Sequence, residues 1–260
     1  ASGLSGLFEF DAPAQLEPGE TWTVTKHLAV GHGDVGSVLD EIYEHRGEQT
    51  GRMAGQVIDE VTGLPVEDAS VVVYQEVTLE SGEQFLRPYS QYDTGHEGWF
   101  QGDLSPGEYS LRIRGEGRTI TSPHSFTVTA GETTGMTLVA HSPGRVVVTV
   151  RDSDGRQPPA RVTAVGTYGA EYAGQEPREF LYDMAAGESY RITDMVQDSA
   201  DDPETRRYIE SVSTTSQGVS ELVVRPGTYE IYTSRGPEYD LQTATVTVSP
   251  GETVSVTSTL

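Results

Sequence analysis

The chain has 260 residues with 40 acidic and 17 basic side chains, a formal net charge of −23, no cysteine and a single lysine, Lys26. That charge disfavours nucleic acid and anionic membrane as partners, and the missing cysteines exclude disulfides, zinc–thiolate sites and thiol nucleophiles together. With 29 glycines and 14 prolines among many Thr and Val residues, the composition favours strands and turns, and no stretch approaches the ~20 apolar residues of a membrane-spanning helix.

Residues 1–50 differ from the rest of the chain. Leu7–Phe10 and Thr21–Val24 alternate as strands across a turn at Leu16–Glu20. Asp34 is placed as the N-cap of a helix whose apolar face carries Val35, Val38, Leu39, Ile42 and Tyr43, and Gly47 ends it. This is too little for an independent core, so the segment is expected to be the end of a larger domain or an arm docked on its neighbour. No charged-then-apolar leader opens the chain, which is expected to be a mature or excised form if it is exported.

Residues 51–140 read as one module. Gly55–Asp59 and Ala69–Tyr74 are strands joined across Thr62-Gly63-Leu64-Pro65, the second apolar on both faces and therefore central. Further strands follow Gly98-Trp99-Phe100 and Pro106-Gly107, giving about seven in the module, the number and spacing of a Greek-key sandwich.

Residues 141–260 begin at a linker, His141–Gly144, and continue into strands at Arg145–Val150 and Ala160–Val165, joined by Asp152-Ser-Asp154-Gly155-Arg156. Between 166 and 211 the text becomes irregular and rich in Tyr, Glu, Asp and Arg. An insertion of this kind on a rigid sandwich is where contact surfaces concentrate. Tyr168, Tyr172, Tyr182, Tyr208 and Arg178 are its candidate ligand or partner surface, with loop packing the more ordinary role.

A repeat ties the two modules together. Pro106-Gly107-Glu108-Tyr109 and Gly131-Glu132-Thr133 recur 120 residues later as Pro226-Gly227-Thr228-Tyr229 and Gly251-Glu252-Thr253. The fold class expected is all-β: tandem Greek-key sandwiches, Ig-like or transthyretin-like, with one short helix near the N-terminus. The two tyrosines are expected to pack at the sandwich ends.

The segments Gly55–Asp59, Gly63–Val66, Ala69–Val73, Gly98–Phe100 and Leu104–Tyr109 resemble the carboxypeptidase-regulatory-like, transthyretin-like family, which implies fold and little about function. Three further phrases, Val30–Tyr43, Asp154–Val162 and Tyr229–Glu-Ile-Tyr-Thr-Ser-Arg-Gly-Pro-Glu-Tyr239, taken together resemble the non-catalytic region of bacterial CehA/McbA-type metallohydrolases of the PHP superfamily. In that family the metal chemistry belongs to a downstream domain introduced by a His-x-His motif. Nothing of that type stands in this sequence before Leu260, so no catalytic residue or family metal ligand carries over. The resemblance implies an accessory region whose partner is its own downstream catalytic domain.

Chemistry-bearing constellations are few. The six histidines, at 27, 32, 45, 96, 124 and 141, show no i, i+2 or i+4 pair. Asp152-Ser-Asp154-Gly155 opens like a calcium loop without the later ligands and reads as a hairpin turn. Asp198, Asp201, Asp202 and Glu204 lie within seven residues and must be solvated or share a cation, with solvation the simpler account and calcium the candidate ion. Gly-x-Ser-x-Gly text is absent. The leading expectation is a non-catalytic structural or binding tandem, extracellular, at the cell surface or in the periplasm, with no cofactor of its own. Two rivals stand beside it. One is an assembly subunit of identical chains joined by strand complementation through residues 1–12 or Val254–Leu260. The other is a carbohydrate-binding module using the Tyr/Arg insertion.

Overall fold

The computed structural model describes residues 15–78 other than 24 and 26, residue 82, residues 84–167, and residues 207–260 other than 216. Seven strands form the first sandwich: β1 (Gly51–Asp59), β2 (Ser70–Thr78), β3 (Gln84–Asp93), β4 (Trp99–Leu104), β5 (Gly107–Arg114), β6 (His124–Val128) and β7 (Thr133–Ala140). One sheet has the order β4-β1-β7 and the other β3-β2-β5-β6. Seven more strands repeat the plan: β8 (Gly144–Arg151), β9 (Ala160–Thr167), β10 (Arg207–Thr215), β11 (Val219–Val224), β12 (Gly227–Ser234), β13 (Gln242–Val248) and β14 (Thr253–Thr259), ordered β11-β8-β14 and β10-β9-β12-β13. The chain is thus a tandem of β-sandwiches of identical topology, as its repeat implies.

Alternation builds each core. Every second residue of β1 from Gly51 to Asp59 is buried, and β8 does the same through Val146, Val148 and Val150. Met53, Val57, Val71, Val73, Leu104 and Leu111 fill the first core; Val146, Val148, Val162, Leu222 and Ile231 fill the second. β2 lies centrally between β3 and β5, where its unbroken Val72-Val73-Tyr74 run is buried on both faces.

The Pro-Gly-x-Tyr repeat is a structural repeat to the rung. Gly107 pairs with Val128 as Gly227 pairs with Val248. Tyr109 and Tyr229 are 5% and 1% exposed, and each hydroxyl donates to the backbone carbonyl four residues earlier, Tyr109 to Ser105 at 2.9 Å and Tyr229 to Arg225 at 2.7 Å. These are tyrosine corners, in which a ring caps the core while its hydroxyl holds the incoming turn.

One helix, α1 (Val35–Arg46), precedes the first sandwich. Asp34 caps it by accepting from Ser37 N at 2.8 Å, and Gly47 ends it in the left-handed region at φ 62°. The expected apolar face is only half buried; the residues most deeply buried are Gly36 and Tyr43. Tyr92 of β3 explains Gly36: a Cβ there would fall 2.0 Å from the ring, and one on Gly102 of β4 would fall 1.9 Å from it. The helix therefore sits against the outer strand of both sheets. Its acidic side chains reach the strand backbones directly, since Asp93 N donates to Asp34 Oδ2 at 3.1 Å and Asp103 N to Asp40 Oδ1 at 2.8 Å. Two side-chain oxygens thus occupy the place of a neighbouring strand's carbonyls and cover an edge that would otherwise offer free N–H groups.

Upstream, the turn expected at Leu16–Glu20 forms, with Glu20 N donating to Glu17 O at 3.0 Å. The strand expected over Thr21–Val24 does not form over its first three residues: Thr21, Trp22 and Thr23 are exposed coil. Leu7–Phe10 lie outside the described residues.

Candidate functional site

The most concentrated polar chemistry in the described residues lies where one sandwich passes into the next. β1 ends at Asp59, whose side chain is 7% exposed. The tight turn after it delivers Val61 N, Thr62 N and Thr62 Oγ1 to Asp59 Oδ1 at 3.1, 3.0 and 3.2 Å. From the linker, Ser142 Oγ donates to the same oxygen at 2.5 Å. Arg118, on the β5–β6 loop, donates from Nη1 to Asp59 Oδ2 at 2.7 Å and to His141 O at 2.7 Å.

Glu60 completes the arrangement. Ser142 N donates to its Oε1 at 3.0 Å, and His141 Nδ1 lies 2.9 Å from its Oε2. On the far side, Gly251 N donates to Pro143 O at 2.9 Å, so successive linker residues are tied first to one module and then to the other. The modules also touch directly. A Cβ on Gly117 would come within 2.5 Å of Val223, and one on Gly251 within 3.2 Å of Val61.

Electrostatics reflect this geometry. Burial pushes the Asp59 carboxyl up, but the Ser142 hydroxyl, the Arg118 guanidinium and the turn amides outweigh it and hold the group well below the usual carboxylate range. Glu60 behaves alike: burial raises it, while the Ser142 amide and His141 bring it below its ordinary value. Both oxygens of Asp59 are engaged by protein donors, four on Oδ1 and the Arg118 guanidinium on Oδ2. The arrangement is that of a fastening.

The sequence candidates fall elsewhere. Tyr168, Tyr172, Arg178 and Tyr182 lie outside the described residues, as do Asp198, Asp201, Asp202 and Glu204. Tyr208 is placed in β10, its backbone opposite Gly166. Asp152–Arg156 forms the expected turn, with Asp152 N donating to Arg156 O and Gly155 N to Asp152 O, both at 2.9 Å. Among the described residues no group of three or more His, Asp and Glu side chains is placed to hold a metal ion. The structure does bring together two histidines that are distant in sequence, His27 and His45, with ring centroids 4.0 Å apart and planes tilted by 43°. Sequence reasoning missed the fastening itself. Asp59, Arg118 and Ser142 are far apart in the chain, and their only local signal is the Asp59-x-x-Thr62-Gly63 turn.

A second buried ionic group lies inside the second sandwich. Arg225 donates from Nη2 to Glu210 Oε2 at 2.7 Å, from Nε to both carboxylate oxygens at 3.2 Å, and from its backbone N to Oε1 at 3.0 Å. Both side chains are nearly inaccessible, at 3% and 0%.

Residues 52–141 match the family model of the carboxypeptidase regulatory-like domain. The regulatory-like module is thus the first sandwich, from the second residue of β1 to the first linker residue. A comparison with curated proteins finds no match. Solved structures similar to the chain include the Bacillus anthracis TIE protein, at 14% identity and a TM-score of 0.30, covering 82% of this chain and 34% of that one. Another is a streptococcal ancillary pilin, at 14% identity and TM-score 0.36, covering 81% of this chain and 62% of that one. A third is the shaft pilin SpaA of Lactobacillus rhamnosus GG, at 8% identity and TM-score 0.40, covering 81% and 97%. The chain spans about a third of the first of these proteins and about three fifths of the second.

Proposed function

We propose that this chain is a non-catalytic structural tandem of an exported protein, which fixes the orientation of what it joins. The observation that supports this is the fastening at the junction: Asp59 gathers Ser142 of the linker and Arg118 of the β5–β6 loop onto one buried carboxylate. A linker meant to swivel would leave its backbone to water. Here His141 O, Ser142 N and Pro143 O each have a protein partner. The parallel pairing of β1 with β7 and of β8 with β14 also sends the chain in at one end of each sandwich and out at the other. Serving as the accessory part of a metallohydrolase-like protein is the specific form that the sequence resemblance suggests.

Small-angle scattering and domain-orientation NMR test the reading. The natural chain should give one narrow distribution of inter-module angles, broadened in the Asp59→Asn/Ser142→Gly double variant. An equally broad distribution in both would overturn it. Separately, metal-dependent hydrolysis of an ester, amide or phosphoester by this chain alone would overturn its non-catalytic part.

A further inference from the structure

In the first sandwich the main sheet is breached. A bulge opposite Val73-Tyr74 of β2 shifts its register with β3, after which β2 stays paired with β3 out to Thr78 opposite Gln84. Its pairing with β5 stops earlier, at Tyr74 opposite Ser110. β5 itself continues back to Gly107, paired over that stretch with β6 on its other side. Residues 75–78 of β2 and 107–109 of β5 therefore face each other with no ladder between them. The second sandwich closes one rung further, since Tyr229, the counterpart of Tyr109, pairs with Gly166.

A cavity of about 770 Å³ takes in the breach, lined by Gln75 and Glu76 of β2 and by Glu108 and Tyr109 of β5, and reaches past them to Leu86 of β3 and to Phe126 and Thr127 of β6. Tyr109 and Phe126 belong to the core-facing side of the sheet, whereas Glu108 alternates to the opposite side. The cavity therefore opens through the breach, and on the side away from the core it spreads over β5 and β6, where Glu108 pairs with Thr127. Its volume is within the ~300–1,000 Å³ of ligand sites.

We propose that this breach receives an extended peptide segment carrying basic side chains, added as a strand between β2 and β5. Two opposed edges supply backbone donors and acceptors to one inserted chain, which a globular ligand would leave unused. Tyr109 and Phe126, on the core-facing side, take the apolar side chains of an alternating segment, and Glu76 and Glu108, on the other side with Leu86, face its cations. Arg87, at the rim, is held by Gln75 Oε1 at 3.2 Å. The net charge of −23 steers a cationic segment toward the protein and repels an anionic one.

The test uses the full chain and a capped heptapeptide alternating valine and arginine, followed by calorimetry and amide exchange. Binding is expected at about 0.1 mM or tighter, weakened roughly tenfold by N-methylating alternate peptide amides and by a similar factor in Glu76→Gln/Glu108→Gln. Exchange at residues 75–77 and 107–109 should slow in the complex. Both glutamates are exposed, so the variant keeps its fold. Absence of binding, equal binding of a valine–glutamate peptide, or indifference to N-methylation or to the glutamate variant would each overturn the proposal.

Discussion

Tyr89 and Glu210 hold the same position in the two sandwiches: each is the residue left over where a bulge shifts the register of the strand paired with β2 or β9. Their side chains solve the position differently. The Tyr89 hydroxyl meets that of Tyr43 on α1 at 2.7 Å, and its ring packs against Tyr109. Glu210 instead turns to Arg225, whose carbonyl anchors the Tyr229 corner. In one module the bulge fastens the helix; in the other it fastens the tyrosine corner.

Removing Glu210's charge therefore should damage the second sandwich selectively. Glu210→Ala leaves a buried guanidinium without its main partner and is expected to cost about 3–5 kcal/mol in urea unfolding. Tyr229→Phe removes one buried hydroxyl bond and should cost about 1 kcal/mol. A Glu210→Ala loss below that of Tyr229→Phe would contradict the assignment.

At the junction, Asp59→Asn should lower stability at neutral pH and flatten its acid dependence. The folded Asp59 is held below its unfolded value, so its contribution is fully present above the unfolded value of about 4 and is lost as pH falls toward the folded one. Glu60 acts in the same direction. Urea unfolding at pH 6 and pH 3 should show a smaller difference for the variant than for the natural chain.

The helix contacts predict a contrast between two neighbouring aspartates. Asp34→Ala removes both the cap and the acceptor for Asp93 N and should cost about 1–2 kcal/mol. Asp40 differs: burial raises its pKa, so the ionised form is disfavoured in place. Asparagine keeps an oxygen for Asp103 N without the charge, and Asp40→Asn is expected to be neutral or mildly stabilising at pH 7. Thermal melts of the two variants decide between these outcomes.

Self-repulsion from the net charge of −23 should make stability depend on salt. Raising NaCl from 0.01 to 1 M shortens the screening length from about 30 to about 3 Å. The melting temperature is expected to climb across that range, and a flat or falling trend would refute the expectation.

The features legible in the sequence were those written in local pattern. Asp34, Gly47 and the two Pro-Gly-x-Tyr phrases carry their geometry within a few residues, so helix ends and tyrosine corners could be read directly. Strand-forming stretches bounded by turn residues likewise revealed β1, β2 and β8. The fastening was not legible, because Asp59, Arg118 and Ser142 meet only after two sheets and a loop have formed. Nor was the Gly36–Tyr92 contact: a missing Cβ is silent about what fills its space. At Thr21–Thr23 alternation misled: so short a stretch of period two is met in coil as well as in a strand.

In each sandwich the first strand and the last lie side by side and point the same way, Arg52 opposite Thr133 and Asp59 opposite Ala140, then Arg145 opposite Thr253 and Arg151 opposite Thr259. Tension applied along the chain would therefore pull the two members of each pair in opposite directions along their length. The hydrogen bonds of the pair share that pull together instead of parting one after another from an end. Placed between two anchored bodies, the tandem would resist stretching as a short stiff tether.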